Sequence, residues 1–209
     1  MTPLSLAGKH CAVVGGTGHI GFHIAKAFAS RGAVVTVLGR SALEARPKLE
    51  PKLVPYSPPP PAPSSDDAPA PRSSPPEPLP ASHRFLRLDL SDPANIKTVF
   101  YENNPAGAEK FGDRHVGPLD ILVNCAGIAQ TTLLSRTSNA ELASIIDTNL
   151  LAPMLVCKNA RLRRNGCIIN VSSLMANRAE LGVTAYAASK AGLIGACEKH
   201  TYESFIIAT

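Results

Sequence analysis

Residues 10–40 read HCAVVGGTGHIGFHIAKAFASRGAVVTVLGR, and this stretch decides the fold. A short apolar run, His10–Val14, opens into a glycine-rich turn at residues 15–21. An alanine-rich, helix-like stretch follows from Phe22 to Arg31, and Ala33–Leu38 is again apolar and β-branched. The order strand, glycine turn, helix, strand predicts a βαβ unit of about 30 residues.

The same alternation resumes after residue 84. Further strands are predicted at Phe85–Leu90, Leu119–Asn124 and Cys167–Val171. Further helices are predicted from Ser91-Asp92-Pro93 toward Tyr101, over Ser138–Ala160, and from Ala185 to about His200. Strands alternating with helices imply a parallel sheet covered on both faces. We therefore predict an α/β fold, a single Rossmann-like domain with a doubly wound parallel sheet.

A proline-rich stretch, residues 47–82, interrupts this rhythm. It carries 14 of the 19 prolines of the chain. Such a composition disfavours helices and strand ladders, so we predict a disordered or polyproline insertion that acts as a spacer. The alternative is a proline-rich ligand for a partner domain. The Ser41–Glu44 stretch resembles a capping box, and Pro47 is expected to end that helix after about one turn.

Composition bounds the function classes. The chain has 209 residues, of which 44% are hydrophobic and 18% charged, as expected for one packed domain. Its net charge of +5 is dispersed, so no nucleic-acid partner is predicted. No apolar run approaches the ~18 residues of a membrane helix, and no secretory signal is recognised. The five cysteines form no CxxC pair, so no metal site is predicted and a reducing, cytoplasmic location fits best.

The glycine turn predicts a dinucleotide site. Gly15, Gly18 and Gly21 follow a G-x-x-G-x-x-G spacing between a strand and a helix. Glycines let the backbone approach a pyrophosphate, whose charge then lies on free N–H groups at the helix N-terminus. The predicted cofactor-binding residues of this turn are Gly15, Gly16, Thr17, Gly18, His19, Ile20 and Gly21.

Arg40 predicts the kind of dinucleotide. An NAD-selective fold usually places an acid about 20 residues after the glycines, where it binds the ribose hydroxyls. Arg40 stands 19 residues after Gly21, and no acidic residue lies beside it. A guanidinium suits a 2′-phosphate, so NADP(H) is expected in preference to NAD(H).

Tyr186 and Lys190 form the candidate catalytic pair. They lie four residues apart, so one helix face presents both. A nearby ammonium favours a phenolate, which suits proton transfer to a carbonyl oxygen. Ser173, thirteen residues before the tyrosine, could donate a hydrogen bond to the same oxygen.

In combination these motifs resemble the compact branch of the short-chain dehydrogenase/reductase family. The motifs are Asn124-Cys125-Ala126-Gly127, Ser172-Ser173 and Tyr186-Ala187-Ala188-Ser189-Lys190. The resemblance runs from Leu6 to about Cys197, with the proline-rich stretch as an insertion. Within the family, the sequence YAASKAGLIG is most similar to 3-oxoacyl-acyl-carrier-protein reductases of fatty acid biosynthesis and to related carbonyl reductases.

The resemblance implies a role for each matching residue. Tyr186 would be the proton donor, and Lys190 would support it and bind the nicotinamide ribose. Ser173 would position the carbonyl, and Asn149 would complete a proton relay. Asp89 would contact the adenine. The remaining cofactor-binding positions are Leu90, Asn124, Ala126 and Gly127.

Pro153 lies four residues after Asn149 within the predicted long helix. Proline has no N–H to donate to the carbonyl four residues back, so the Asn149 carbonyl could hold a water that passes protons from Lys190. The alternative is a simple proline kink.

Two departures from the family pattern stand out. The compact branch usually has G-x-x-x-G-x-G, and His19 occupies the place of its middle glycine, where a side chain could crowd the pyrophosphate. After Cys197 the resemblance fades, and the family's next strand, substrate lid and last strand are expected to be absent. We therefore expect a domain, residues 1–209, that is incomplete at its C-terminus.

These inferences converge on NADPH-dependent reduction of a ketone or 3-oxoacyl substrate, small or carried on an acyl carrier. One alternative is an inactive, truncated relative that binds nucleotide. The other is an interaction protein that uses its proline-rich insertion. Homo-oligomer contacts are predicted through helices 138–160 and 185–200.

Overall fold

The computed structural model describes residues 5–58, 79–100, 114–197 and 205–208. Its strands are β1 (His10–Val14), β2 (Val34–Gly39), β3 (Arg84–Arg87), β4 (Leu119–Asn124), β5 (Leu162–Val171) and β6 (Phe205–Ala208). Its helices are α1 (His19–Ala29), α2 (Ala42–Leu49), α3 (Pro93–Phe100), α4 (Asn139–Ile146), α5 (Ala152–Asn159) and α6 (Thr184–Cys197).

All strand pairs in the sheet are parallel, and the order is β3-β2-β1-β4-β5-β6. The chain moves outward from β1 to β3 and then returns to the other side of β1 with β4. The strand order therefore reverses between β1 and β4, which is where open α/β sheets bind ligands at the carboxyl ends of their strands. This topology confirms the predicted doubly wound, Rossmann-like fold.

The central strands of the sheet are buried on both faces, because their successive residues enter different cores. Ala12 and Val14 of β1 pack into the core that α3 and α5 cover. Cys11 and Val13 pack into the opposite core, beneath α1 and α2. The near-continuous apolar strands noted in the sequence follow from this two-sided burial.

The first part of the predicted insertion is ordered, which corrects two expectations. Helix α2 continues through Pro47 to Leu49, and a 3₁₀ turn follows at Glu50–Lys52. Leu53 packs into the core beneath α1. Pro47 is the sixth residue of this helix, so it removes the hydrogen bond to the Leu43 carbonyl, yet the helix continues for two more residues. Ser41 precedes the helix but makes no side-chain capping bond. Residues 59–78 lie outside the described part of the chain.

The expectation that no strand follows Cys197 is wrong. β6 pairs in parallel with β5, from Ile168 opposite Phe205 to Val171 opposite Ala208. The sequence of β6, FIIA, is an apolar, β-branched run of the kind that favours strands. Similarity to the family fades before this run, so only its apolar, β-branched composition indicates the strand.

The predicted long helix at Ser138–Ala160 is confirmed as α4 and α5 joined by a π-helical turn at Asp147–Leu151. The Ser138 hydroxyl caps α4 by accepting from the Glu141 N–H. By length and composition alone, this helix, Asn139–Asn159, could cross a membrane, contrary to the expectation from apolar runs. Its Ala152 and Val156 pack into the core of the sheet, as expected for a helix that covers an α/β domain.

Candidate functional site

Two glycines make the turn after β1 possible. Gly15 has φ 77°, which L side chains rarely adopt, and a Cβ there would lie 2.7 Å from the Ala126 backbone. A Cβ on Gly21 would lie 2.3 Å from the Gly15 carbonyl oxygen. The first glycine thus lets the turn approach the end of β4, and the second lets α1 begin directly against the turn.

The N-terminus of α1 is available to an anion. Gly18 occupies the N-cap position and makes no side-chain capping bond, because it has no side chain. The first N–H groups of a helix have no partner within it, and the helix dipole favours negative charge there. His19 does not enter the adjoining pocket: its ring lies 4.6 Å from that of His23.

A pocket of about 450 Å³ lies along the carboxyl ends of β1, β2 and β4. Eight of the predicted cofactor-binding residues line it: Gly15, Thr17, Gly18, Arg40, Asp89, Leu90, Ala126 and Gly127. The structure therefore brings together the glycine turn, the arginine after β2 and the end of β4. The predicted residues that do not line this pocket are Gly16, His19, Ile20, Gly21, Asn124, Asn149, Ser173, Tyr186 and Lys190.

Arg40 and Asp89 lie on the same side of the pocket. The Asp89 carboxylate accepts hydrogen bonds from the Ser91 N–H at 3.0 Å and the Ser91 hydroxyl at 2.7 Å. These bonds, aided by the charges of Arg40 and Arg87, lower the pKa of Asp89 below its usual value. Asp89 therefore stays ionised, and an ionised carboxylate can accept from an exocyclic amine such as that of adenine.

Asn124 ends β4, and its side chain bonds to the neighbouring strand. Its amide nitrogen donates to Asn170 Oδ1 at 2.7 Å, and the side chain is buried between β4 and β5. The same nitrogen lies 3.4 Å from Cys157 Sγ. In this structure the Asn124 side chain therefore joins two strands and does not line the pocket.

Tyr186 and Lys190 lie on one face of α6, as their spacing predicted. The Lys190 ammonium lies 5.9 Å from the centre of the Tyr186 ring and donates to the Val171 carbonyl at 2.8 Å. Lys190 is buried, and burial lowers its pKa. The carbonyl at the end of β5 thus holds the ammonium beside the tyrosine.

Asn149 lies in the π-helical turn and is fully buried. Its amide accepts from the Ile128 N–H at 2.8 Å, and donates to the Ile128 carbonyl at 2.9 Å and to Ser189 Oγ at 3.1 Å. A Cβ on Gly127 would lie 3.2 Å from Asn149 Oδ1 and 3.4 Å from Lys190 Nζ. Gly127 is thus the point where the loop after β4 meets both predicted residues.

The π-helical turn fits the argument from Pro153. The Ala152 N–H donates to the Asp147 carbonyl, five residues back. Pro153 has no N–H to donate to the Asn149 carbonyl.

Ser173 follows β5 and begins a 3₁₀ turn at Leu174–Ala176, where its hydroxyl accepts from the Met175 N–H at 3.2 Å. A hydroxyl that accepts this bond keeps its own proton for another acceptor. The neighbouring Ser172 is buried and donates to the Lys190 carbonyl at 3.0 Å.

Several residues of the site were not singled out from the sequence. Val14, Gly39, Leu88 and Cys125 line the pocket at or just beyond strand ends, a position that strand prediction could have flagged. Ser144 and Thr148 reach it from the region of α4, and no local signal marks them. Gln130 and Ser189 hold helix α6 through hydrogen bonds, and no spacing rule marks either of them.

Comparison with known families matches residues 79–204, more than half of the chain, to the short chain dehydrogenase family. The chain belongs to this family. Members of the family use NAD(H) or NADP(H), and the pocket beside the glycine turn fits such a dinucleotide. The glycine turn has no room for a Cβ at two positions, and the pocket adjoins a helix N-terminus.

Similar proteins include the 3-oxoacyl-[acyl-carrier-protein] reductase of Mus musculus, 30% identical over 190 residues, and the FabG enzyme of the same name from Chlamydia muridarum, 33% identical over 202 residues. The alignments cover 90% and 91% of this chain. The chain spans 65% of the length of each of these curated relatives.

A similar solved structure is that of a dehydrogenase/reductase from Sinorhizobium meliloti 1021. It matches with a TM-score of 0.66 and 29% identity, over 91% of this chain and 64% of that protein. Among the described residues, no group of three or more His, Cys, Asp or Glu side chains is placed to hold a metal ion.

Proposed function

We propose that this short-chain dehydrogenase reduces a ketone or a 3-oxoacyl group to the alcohol with NADPH. The observation that carries the proposal is the meeting of three elements at one sheet edge. These are the glycine turn, the Tyr186–Lys190 helix face and the buried Asn149, with Gly127 between the last two.

When bound, NADPH would supply a hydride to the carbonyl carbon. Tyr186 would deliver a proton to the carbonyl oxygen, which completes the alcohol. The Lys190 ammonium, fixed by the Val171 carbonyl, would stabilise the phenolate that remains. Ser173 would donate its free hydroxyl proton to the same oxygen and orient the carbonyl.

Asn149 supports the reaction through position. Its amide joins the loop at Ile128 to helix α6 at Ser189, so the two sides of the site are held together. If the Asn149 carbonyl carries a water, a route for protons leads from solvent toward Lys190. The missing N–H of Pro153 supports this part of the proposal.

The preference for NADPH rests on Arg40. Its side chain is exposed at the pocket edge, where a 2′-phosphate could accept paired hydrogen bonds from the guanidinium. The carboxylate that lines this pocket, Asp89, follows β3 and not β2. This leaves the position after β2 without an acid for the ribose hydroxyls.

The names of the similar reductases support the substrate class. Two of them act on 3-oxoacyl groups carried by acyl carrier protein, according to their names. We propose the same chemistry here for small or carrier-bound substrates. A reducing, cytoplasmic location and homo-oligomer contacts through the helices at 138–160 and 185–200 stay proposals. Cys11, Cys125, Cys157 and Cys167 form no disulfide.

The test is NADPH oxidation by the purified chain with a panel of simple ketones and 3-oxoacyl thioesters. We expect turnover in the wild type, and a loss of about 10²- to 10⁴-fold in Tyr186→Phe, with NADPH binding retained. Turnover in Tyr186→Phe within a few-fold of the wild type would remove Tyr186 from the mechanism.

The same experiment separates the alternatives. NADPH binding without turnover on any substrate would favour an inactive nucleotide-binding relative. Neither binding nor turnover, together with a partner that is lost when residues 59–78 are deleted, would favour an interaction protein.

A further inference from the structure

Gln130 lies in the loop between β4 and α4 and makes a buried set of hydrogen bonds. Its side chain is only 5% exposed. Its amide nitrogen donates to the Thr132 carbonyl at 2.8 Å and to Thr137 Oγ1 at 3.2 Å. Its amide oxygen accepts from the Ala185 N–H at 2.7 Å. One amide thus closes its own loop and binds a residue 55 positions later.

Ala185 belongs to the first turn of α6, and the next residue is Tyr186. The first N–H groups of a helix have no carbonyl partner within it, so they need side chains, ligands or water. Gln130 serves the Ala185 N–H from another part of the chain. The bond therefore fixes where α6 begins relative to the loop after β4.

The same helix is held at two further points. The Ser189 hydroxyl donates to the Tyr186 carbonyl at 2.6 Å and accepts from the Asn149 amide. Ser172 donates to the Lys190 carbonyl. Without Gln130, these contacts would still hold the middle of the helix. The N–H groups of its first turn would lose the one side-chain partner that the described residues give them.

The Gln130 loop also reaches the rest of the site. Ile128, two residues earlier, is bonded at both its N–H and its carbonyl to Asn149. Gly127 adjoins Lys190 and lines the nucleotide pocket. A shift of α6 against this loop would therefore move Tyr186 relative to the pocket. Misplacement of a reacting group by about 1 Å can cost about 100-fold in rate.

We propose that Gln130 is a positioning residue, which sets the register of α6 so that the Tyr186 hydroxyl meets the substrate carbonyl beside the nucleotide. The inference rests on the proposed reductase function. Gln130 touches neither substrate nor cofactor and acts through Ala185.

The test compares three variants of the 209-residue chain. Gln130→Met keeps the length of the side chain but removes both of its hydrogen-bonding groups. Thr137→Val is the matched control, because it removes a contact within the loop and leaves the Gln130–Ala185 bond in place. Gln130→Glu offers an oxygen to the Ala185 N–H, and gains a donor for the Thr132 carbonyl only when the carboxyl is protonated.

Amide hydrogen exchange measures the contact without relying on activity. We expect faster exchange at residues 184–187 in Gln130→Met, and exchange close to that of the wild type in Thr137→Val. Unchanged exchange in Gln130→Met would overturn the proposal, as would equal acceleration in the control.

Kinetics measure the consequence. We expect kcat to fall about 10- to 100-fold in Gln130→Met while KM for NADPH stays within about twofold, since the nucleotide pocket is untouched. An unchanged kcat would overturn the positioning role. If Gln130→Met does not fold, Gln130→Glu replaces it. Its carboxyl oxygen still accepts from the Ala185 N–H, so its kcat and its exchange at residues 184–187 should stay close to those of the wild type, and fast exchange there with an about 10-fold lower kcat would overturn the proposal.

A wild type that reduces no ketone would contradict the proposed function. The exchange result would then decide whether Gln130 holds the helix.

Discussion

The two edges of the sheet differ in whether their polar groups bind one another. At the carboxyl edge, β1 ends in a turn of glycines and β2 ends at Gly39, and Gly15, Gly18 and Gly39 line a pocket. At the amino edge, the same strands carry His10 and Thr36, and β4 carries Asp120, all buried. There the polar groups bind one another. One edge is left open to a ligand, and the other is closed by internal hydrogen bonds.

At the closed edge, each hydrogen bond has a defined donor and acceptor. His10 Nδ1 faces the Pro118 carbonyl at 2.9 Å, so that nitrogen carries the proton. His10 Nε2 then accepts from the Thr36 hydroxyl at 2.8 Å. Asp120 accepts from the His10 N–H at 2.9 Å and from the Lys9 ammonium at 3.0 Å. These bonds join β1, β2 and β4.

The comparison predicts that damage to the closed edge lowers stability and spares nucleotide recognition. Asp120→Ala should lower the free energy of unfolding by about 3 kcal/mol, because the buried His10 N–H loses its charged acceptor. The melting temperature should fall by about 6–12 °C, with the NADPH dissociation constant within about twofold. Lys9→Met is the control: its side chain is half exposed, and its loss should cost less than about 1 kcal/mol. Equal losses in the two variants would contradict this account.

The pH dependence of stability should come from the closed edge. Burial lowers the pKa of His10 to about 4, against an ordinary value of 6.5. The unfolded chain therefore binds a proton that the folded chain does not bind between these values, and stability falls as pH drops from 6.5 toward 4. The full effect is about 3 kcal/mol. The measurement is urea unfolding at several pH values in the wild type and in His10→Gln, whose curve should be flatter. Parallel curves would mean that His10 is not the group responsible.

At the open edge, a single methyl group at Gly21 should distort the glycine turn. Gly21→Ala brings a Cβ to 2.3 Å from the Gly15 carbonyl, so the turn must shift. We expect a loss of about 1–3 kcal/mol in stability together with weaker NADPH binding. Gly195→Ala, in α6, is the control, since a Cβ there would meet nothing within 4 Å. It should not lower stability, because alanine favours a helix over glycine by about 1 kcal/mol. Similar NADPH dissociation constants in the two variants would contradict the proposed crowding.

A change at Arg40, at the rim of the open edge, should alter only the preference between NADPH and NADH. Arg40→Asp should shift the ratio of NADPH to NADH affinity by about 10- to 100-fold toward NADH, because it removes a charged phosphate partner and adds an acid. Arg87→Asp makes the same change of charge near Asp89 at a residue that does not line the pocket. It should leave the ratio nearly unchanged. Thermal unfolding should be the same for both variants, and an equal loss of affinity for both cofactors in Arg40→Asp would argue against its role.

Prediction from the sequence succeeded where one local pattern had one structural solution. The run from His10 to Arg40 gave strand, turn, helix and strand within a few residues of their observed bounds. The four-residue spacing placed Tyr186 and Lys190 on one helix face, because helical geometry is local. Prediction failed at Pro47, where α2 continues although the proline removes one helical hydrogen bond, and at β6, an apolar tetrapeptide that lies outside the resemblance to the family.

Asn124 shows why part of the site could not be predicted from local sequence patterns. A polar residue at the end of a strand can face the pocket or the neighbouring strand, and its spacing from other motifs is the same in either case. The pairing of β4 with β5 brings Asn170 opposite Asn124, and the two amides bond to each other. Sequence similarity had assigned Asn124 to the cofactor, and no sequence pattern distinguishes these two orientations.

The sequence by itself determined the doubly wound fold, the glycine turn, and the tyrosine and lysine of the site, because periodicity and backbone sterics act over a few residues. Only the tertiary structure decided that the Gln130 amide holds the start of α6, that Val171 fixes the Lys190 ammonium, and that His10 and Asp120 close the opposite edge. Each of these bonds joins groups between 19 and 110 positions apart. Such partners meet only after the sheet has assembled, and burial then makes an unpaired polar group costly enough to fix each one in place.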